Sequence, residues 1–585
     1  MKRFEELYMI SFSGIDCSGK STQIEITKKY YESKGIRVRV IWSRGGYTSW
    51  VEGIKTLIRK DKRFSAAEKA EYRTKINENH IKARLLLWAS ILDLIRYYGI
   101  VFRWIEMSGA VILCDRYIWD TYIDFSLKYK NIEFEKWLCW KIMLKLIKKP
   151  DKSIIFTIPI EESMRRSLEK NDQHSEPFDE RLSRIQRYMA EIENGRWQHV
   201  INASSPIQAV TNEVIKILER KSAIVFDVAA ETGGALEILN GFYDAAAKEK
   251  DIDWELILST PIFSDADNIH VKNYFWIKKS WLHRLVFDKV IAPKLCRGKS
   301  IDVVVSLQNI AVSAGRKKQM LYLHQSIPFS DIELSIRNNR VEFVYKHLIS
   351  HLIFHSIRKA DQVVVQTKWM RDAVCKKTGV DASKVLVSQP ECKLNINSYY
   401  EDSEENLRSF FYPAANISYK NHKAIFEAVL ILVERGITEF QVILTIDMQN
   451  NIQGYFLNDI PQILCVGSLP HDYVMKQYSK STLIFPSKLE TFGLPMLEAA
   501  LVRSPIIASD MPFSHEILEG YPNVSYFKAD SAESLAELME LQIKNKLKYE
   551  MPADDRWYYE KHRDAGWSSA FDLICRMADC ERGHI

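Results

Sequence analysis

The chain has 585 residues, 46% of them hydrophobic and 27% charged, with a net charge of +6. At roughly 150 residues per domain this length suggests three to four domains, and the composition excludes a mostly disordered or collagenous chain. The charge is too small to imply a nucleic-acid partner, although it permits attraction to an anionic membrane surface, and no uncharged apolar run approaches the ~18 residues that a membrane-spanning helix needs. The opening Met1-Lys2-Arg3-Phe4-Glu5-Glu6 has acids where a signal peptide would have its apolar core. Nine Cys lie scattered without a C-x-x-C pair, which suits a reducing, cytoplasmic setting and argues against a zinc site.

Short apolar runs alternate with helical patterns from the start. Leu7–Phe12, Val38–Trp42, Val111–Cys114 and Ser153–Ile158 read as buried strands, with helices over Thr22–Ser33, Ile81–Tyr98 and Glu180–Ile192 between them. Strands separated by helices predict a parallel sheet covered on both faces. The pattern restarts near Ala223, with strands at Ile224–Val228, Trp254–Ser259, Val303–Ser306, Met320–Leu323 and Gln362–Gln366. It restarts again after the polar stretch Glu401–Asn406, with strands at Ser409–Pro413, Gln441–Thr445, Ile463–Val466, Thr482–Phe485 and Ile506–Ala508. The expected fold class is α/β, in three units spanning 1–221, 222–403 and 404–585. The helix expected over Trp137–Lys149 carries apolar residues on one face and lysines on the other, a pattern that suits an ordinary surface helix or one touching a membrane.

Gly14-Ile15-Asp16-Cys17-Ser18-Gly19-Lys20-Ser21 matches G-x-x-x-x-G-K-[ST] between a predicted strand and a predicted helix. Glycines let backbone N–H groups wrap an anion, and the helix N-terminus adds favourable partial charge. Lys20 can reach the terminal phosphates of ATP, and the Ser21 hydroxyl can ligate the accompanying Mg²⁺. Gly14, Asp16, Ser18, Gly19, Lys20, Ser21 and Thr22 are therefore the candidate ATP-binding residues.

Residues 4–220 resemble the thymidylate kinase family, through Phe12–Gln23, Ser43-Arg44-Gly45-Gly46, Cys114-Asp115-Arg116-Tyr117, Pro150-Asp151, Glu161–Arg166 and Asn202-Ala203-Ser204. The resemblance implies a P-loop kinase. It places Arg44, Trp88, Asp115, Arg116 and Tyr117 at the phosphoryl acceptor, and Lys20, Arg116 and the lid residue Arg166 in catalysis. Lys170 matches a further basic lid position, and Asn202–Ser204 the turn approaching adenine. Trp88, on an apolar helical face, suits either core or a stacking platform. The sequence departs from the family at Leu92, where an arginine reads thymine, and at Cys17, where one subclass carries a catalytic arginine. A site that lacks the partner for a polar base edge rejects that base strongly, so thymidylate is expected to be a poor acceptor.

Phe485–Glu498 joins a strand, a glycine turn and a helix start, with Glu490 and Glu498 eight residues apart. N–H groups around Phe492, Gly493 and Leu494 suit a diphosphate, and the carboxylates suit sugar hydroxyls. Residues 222–575 resemble the retaining family 4 glycosyltransferases of GT-B fold, two Rossmann-like lobes. The resemblance rests on that string, on Ile506–Asp510 with Glu516, Val363–Met370, Tyr412–Asn416 with Lys420-Asn421-His422, Trp567–Ala570, Thr232-Gly233-Gly234, and His324 within Tyr322–Phe329. It implies a nucleotide-sugar donor bound at Gly233, Gly234, His324, Lys420, Glu490, Phe492, Gly493, Leu494 and Glu498. Lys420 would neutralise the leaving diphosphate, Glu490 hold the transferred sugar and Glu498 the ribose, with no metal expected. Ala415 stands where many relatives have an arginine. Together the two resemblances imply a bifunctional kinase–glycosyltransferase acting on a glycan or lipid-linked glycan in bacterial surface-polysaccharide or lipopolysaccharide assembly.

Overall fold

The computed structural model describes residues 9–42, 80–102, 105, 110–170, 176–231, 233–296, 301–332, 340–392, 396, 398–447, 460–550, 558 and 565–582. The chain divides into two compact units, the first ending at Lys221 and the second beginning at Ser222. Three β-sheets carry the fold, and all their described ladders are parallel. The α/β class expected from the alternating pattern is the one observed.

In the first unit, β1 (Met9–Gly14), β2 (Val38–Trp42), β3 (Val111–Asp115), β4 (Lys152–Thr157) and β5 (His199–Asn202) lie in the order β2-β3-β1-β4-β5. β1 is entirely buried because it is central and both its faces are covered. On one face the helices Lys20–Ser33, Phe178–Glu193 and Ile207–Glu219 pack over Phe12, Leu113, Ile154 and Phe156. On the other, Leu87, Ile91 and Leu94 of the helix His80–Arg96 meet Met9, Ile112 and Cys114. The amphipathic helix expected near Trp137 spans Leu138–Leu146 and buries Trp140 and Met143 in that same cluster.

The second unit holds two sheets. One comprises β6 (Lys221–Asp227), β7 (Ile252–Leu258), β8 (Ile269–Asn273), β9 (Val303–Ser306), β10 (Lys318–Leu323), β11 (Gln362–Val365) and β12 (Val385–Val387), ordered β12-β11-β10-β9-β6-β7-β8. The other comprises β13 (Ser409–Tyr412), β14 (Gln441–Leu444), β15 (Ile463–Cys465), β16 (Thr482–Phe485), β17 (Ile506–Ser509) and β18 (Val524–Phe527), ordered β15-β14-β13-β16-β17-β18. Counted from its own first strand, the first of these sheets runs 3-2-1-4-5-6-7 and the second 3-2-1-4-5-6, the doubly wound order that opens a crevice where the order reverses. Those reversals lie between β6 and β9 and between β13 and β16.

The last helix, Ser568–Arg582, belongs to the core of the unit's first sheet. Its Phe571, Ile574, Met577 and Ala578 join Val225, Trp254 and Met320 in one apolar cluster. The Trp567 ring stands 5.0 Å from Phe242 and 4.9 Å from Tyr322, centroid to centroid.

Four strands have no counterpart in the sequence-based reading: β5, β8, β12 and β18. The N-terminal strand begins at Met9 among the described residues, and Leu7 lies outside them. Ile574 is fully buried more than 200 residues from its sheet partners, so Ile574→Ala should lower the stability of the second unit by about 2–4 kcal/mol. Urea unfolding should show that unit's transition moved to lower denaturant and the first unit's transition unmoved.

Candidate functional site

In the first unit, five residues separate the last position of β1, Gly14, from Lys20, the first residue of the next helix. Gly14 has φ 138°, and a Cβ there would lie 2.5 Å from the Phe156 carbonyl oxygen, so only glycine fits. Cys17 adopts φ 63°, a left-handed conformation that costs energy in a residue with a side chain. The ammonium of Lys20 turns back onto this loop, donating to the carbonyls of Gly14 at 2.9 Å and Ile15 at 2.7 Å. Burial, then the charge of Arg116, lowers the Lys20 pKa to about 7. The buried Ser18 hydroxyl has no hydrogen-bond partner. A glycine cradle, an unbonded buried hydroxyl and a retractable ammonium fit a polyphosphate. Ser21 and Thr22 are exposed on the first helical turn.

Arg116, one residue past β3, has φ 68°; its N–H donates to Phe12 O at 2.9 Å and its guanidinium pairs with Asp16. Behind it lies a carboxylate that the sequence reading passed over, Asp120, which is wholly buried. It accepts from the Ser13 hydroxyl at 2.6 Å, the Tyr188 hydroxyl at 2.6 Å and the Tyr117 N–H at 2.9 Å. Tyr188 in turn receives Arg116 at 3.3 Å. Burial works against the Arg116 charge, but Tyr188, Asp120 and Asp16 hold its pKa up. Asp115, at the end of β3, has its pKa raised by burial, with Lys20 and Arg116 opposing the shift.

The other expected kinase residues scatter. Arg44 lies outside the described residues, as does the lid between Lys170 and Glu176. Trp88 is about half exposed and so is not core. The Tyr117 ring is buried against Tyr98 at 5.3 Å, and its hydroxyl donates to the Lys148 carbonyl at 2.8 Å, which makes it a wall of the core. Arg166 is engaged by Glu162 at 2.6 Å and by the Ala203 carbonyl at 3.0 Å, on the turn expected near adenine. The sequence reading also missed Ser163 and Arg181. The Ser163 hydroxyl donates to the Asp16 carbonyl at 2.9 Å, and Arg181, buried, donates to Ser163 at 2.8 Å. Their signal was present only as polar residues on apolar helical faces.

In the second unit, the chemistry collects at the carboxyl ends of β13 and β16. The loop after β13 closes in a short turn, Ser418–Lys420, capped by Asn421 at φ 59°. The Asn421 amide donates to the carbonyls of Pro486 at 3.2 Å and Ala529 at 3.0 Å, tying this loop to those after β16 and β18. The Tyr412 hydroxyl donates to the Lys420 carbonyl at 3.0 Å. Held this way, Lys420 reaches Glu490 with Nζ 2.5 Å from Oε1, both side chains largely buried. Gly493, at φ 99°, caps the helix Leu494–Leu501, in which Pro495 carries no N–H and the Met496 N–H donates to the Gly493 carbonyl at 3.0 Å. Phe492 is core. Glu498, a turn into that helix, is gripped by the Tyr478 hydroxyl at 3.1 Å and His471 Nε2 at 3.0 Å, and this bond raises the His471 pKa. Neither partner was evident from the sequence, since both come from the helix His471–Tyr478.

At the unit's first sheet, Gly233 (φ 63°) and Gly234 open the helix Gly233–Lys248, and Thr232 lies outside the described residues. His324 follows β10. Its Nε2 lies 2.9 Å from the Leu307 carbonyl, and its N–H donates to Asn309 Oδ1 at 2.8 Å. Burial lowers its pKa to about 4, so the ring is neutral near pH 7. The two sheets are joined beside this site. The Thr367 hydroxyl donates to the Thr491 carbonyl at 2.9 Å, and Glu516 accepts from the Lys368 and Trp369 N–H groups at 2.6 and 3.0 Å.

Because Lys20 is partly neutral near pH 7 and an arriving phosphate would restore its charge, nucleotide binding should take up a proton. Calorimetry in buffers of differing ionisation enthalpy should show uptake at pH 7.5, and affinity should fall as pH rises above about 7. Lys20→Ala should abolish the uptake and weaken binding about tenfold or more.

Residues 12–214 match the family model described as thymidylate kinase, and residues 401–560 match that described as glycosyl transferases group 1. The chain is 28% identical over 221 residues to a thymidylate kinase of Sulfurihydrogenibium, covering 37% of this chain and 99% of that protein. It is 23% identical over 227 residues to the O-antigen chain mannosyltransferase RfbU of Salmonella typhimurium, covering 36% of this chain and about 61% of that protein's length. Among solved structures, the lipopolysaccharide outer core galactosyltransferase WaaB aligns over 62% of this chain and 99% of its own, at 15% identity and TM-score 0.45. Anabaena Alr3699/HepE in complex with UDP and glucose aligns over 62% of this chain and 100% of its own, at 14% identity and TM-score 0.44. The chain thus carries a thymidylate kinase-like domain and a glycosyltransferase domain in one polypeptide.

Proposed function

We propose that the chain is a bifunctional transferase: its first unit moves a phosphoryl group from ATP, and its second transfers a sugar from a nucleotide-sugar with retention of configuration. The observation that carries the second half is the Lys420–Glu490 pair, spanning the reversal between β13 and β16 beside a helix N-terminus. A preorganised ammonium beside the positive end of a helix dipole suits a leaving diphosphate, whose charge grows as the glycosidic bond breaks. On its arrival Lys420 would exchange Glu490 for phosphate oxygens and free that carboxylate for sugar hydroxyls. Glu498, oriented by His471 and Tyr478, is placed to accept ribose hydroxyls. The neutral His324 can exchange hydrogen bonds with a sugar without adding charge. The relative that assembles O-antigen chains supports a surface glycan as acceptor.

In the first unit the loop residues Gly14–Ser21 would hold the phosphates, and the Ser21 hydroxyl would hold Mg²⁺, which supplies charge neutralisation between them. Lys20 leaves the Gly14 and Ile15 carbonyls to pair with phosphate. Arg116, braced by Tyr188 and Asp120, presents a fixed positive charge beside Asp16. A second reading, a nucleotide-binding module without phosphoryl transfer, is favoured by Cys17 in the loop and by the engagement of Arg166 with Glu162 and Ala203.

Glu490→Gln should reduce sugar transfer about 10²-fold or more while leaving ATP binding intact. Lys20→Ala should do the reverse, and NMR of the product should show the donor's anomeric configuration kept. An inverted product, or unchanged turnover in Glu490→Gln, rules the assignment out. In steady-state assays with ATP, thymidylate should fall about 100-fold or more below a site that retains its base-reading contact. An efficiency near 10⁴ M⁻¹s⁻¹ or above would make the first unit a nucleotide kinase. No phosphorylation of any glycan or nucleotide, with ATP still bound, would favour the module reading.

A further inference from the structure

One face of the β6–β12 sheet is covered by two crossover segments whose outer sides are bare. The register fixes that they share a face. Ile224 pairs with Val304, Ser306 with Leu321, and Leu321 with Val363, so these side chains point the same way. Between β8 and β9, the segment from Trp281 to Cys296 sets Phe287, Ala292 and Cys296 against Ile224, Phe226 and Val304. Between β10 and β11, the segment from Arg340 to Lys359 sets Ile353 and Ile357 against Leu321, Leu323 and Val363. The C-terminal helix occupies the opposite face, with Val225, Val305 and Tyr322.

The outward side chains are apolar where a surface helix would carry polar ones. Trp281 is 74% exposed and Leu282 65%, and Leu285, Val286 and Val290 continue the stripe. On the other segment, Val344, Leu348 and Leu352 follow one another at helical spacing, with Leu348 66% exposed. Basic residues surround both stripes. From Phe275 to Lys294 there are five Lys or Arg against one Asp, and from Arg340 to Lys359 four against one Glu, with His347, His351 and His355 exposed on that same segment.

We propose that this face is a docking surface for an anionic lipid bilayer, the apolar stripes entering the headgroup boundary and the lysines meeting lipid phosphates. Exposed aliphatic side chains and a tryptophan framed by cations are what an interfacial helix requires. The charge decides between a membrane and a second copy of the chain, since a symmetric self-contact would set basic residues against basic residues. No described helix is long and apolar enough to cross a bilayer, so the contact is peripheral. The face is built on the strands whose carboxyl ends carry Gly233 and His324, so docking would hold that end of the sheet near a membrane-borne acceptor. The assignment stands on surface chemistry and does not depend on the catalytic reading.

The test is co-sedimentation of the full chain with vesicles of phosphatidylglycerol and phosphatidylcholine, and with phosphatidylcholine alone. The wild type should bind the anionic vesicles, and less so as salt rises. Trp281→Glu with Leu282→Glu, and separately Leu348→Glu with Leu352→Glu, should each lower partitioning about tenfold or more, with unfolding transitions unchanged. Lys279→Glu with Lys289→Glu, at exposed positions outside the core, should do the same on anionic vesicles, and Trp281→Phe should bind as wild type. Glu490→Gln and Lys20→Ala should bind vesicles normally, so failure of the catalytic assignment and failure of this one read differently. Absence of vesicle binding, equal binding by all variants, or a concentration-dependent dimer that the glutamate variants abolish would overturn the proposal.

Discussion

In a parallel sheet every strand ends at the same edge, so the loops that follow the strands all gather there. Both catalytic proposals rest on that constraint. Gly14 and Asp115 end neighbouring strands of the first sheet, so the loop that follows β1 and the Asp-Arg pair that closes β3 meet without any long excursion. Tyr412 and Phe485 likewise end neighbouring strands, and Lys420 and Glu490 come within 2.5 Å although 70 residues separate them. The loops need only short, stiff turns to finish the work. Left-handed residues make those turns: Gly14, Cys17 and Gly19 in one case, Asn421 and Gly493 in the other. Asn421 adds its side chain to the turn, bonding two neighbouring loops.

Much of this was legible because central strands of such sheets are buried on both faces and appear as continuous apolar runs. The four strands that escaped notice, β5, β8, β12 and β18, are all at sheet edges. His199-Val200-Ile201-Asn202 and Ile269-His270-Val271-Lys272-Asn273 mix polar and apolar positions, since one side of each faces water or a loop. Nothing in their periodicity separates them from loop. β2 was visible despite its edge position because Val38, Val40 and Ile41 keep a β-branched run.

The sites divide the same way. The phosphate loop and the Phe485–Glu498 string are local, so spacing along the chain specifies them. Asp120, Tyr188, Arg181, His471 and Tyr478 act by orienting those local motifs, and they arrive from other helices. A buried aspartate three residues into a helix also reads as an ordinary first-turn acid, and the same Asp120 does serve the Tyr117 N–H in that way. Its bond to Ser13 exists only once its own helix has docked beside β1, and its bond to Tyr188 only once the helix Phe178–Glu193 has docked as well.

The placement of the final helix sets an order on biosynthesis. The apolar cluster under β6, β7, β9 and β10 is completed by Phe571, Ile574, Met577 and Ala578, which are translated after the whole β13–β18 sheet. The first unit ends at Lys221 and holds all its core residues before that point, so it can fold while the rest of the chain is still being made. The second unit cannot complete its core that way: throughout translation of the β13–β18 sheet, the cluster holding Trp254, Phe242 and Tyr322 lacks its final helix. A nascent chain of this kind is a client for holding chaperones during that interval. Removing Ser568–Arg582 strips packing from the earlier sheet and not from the later one.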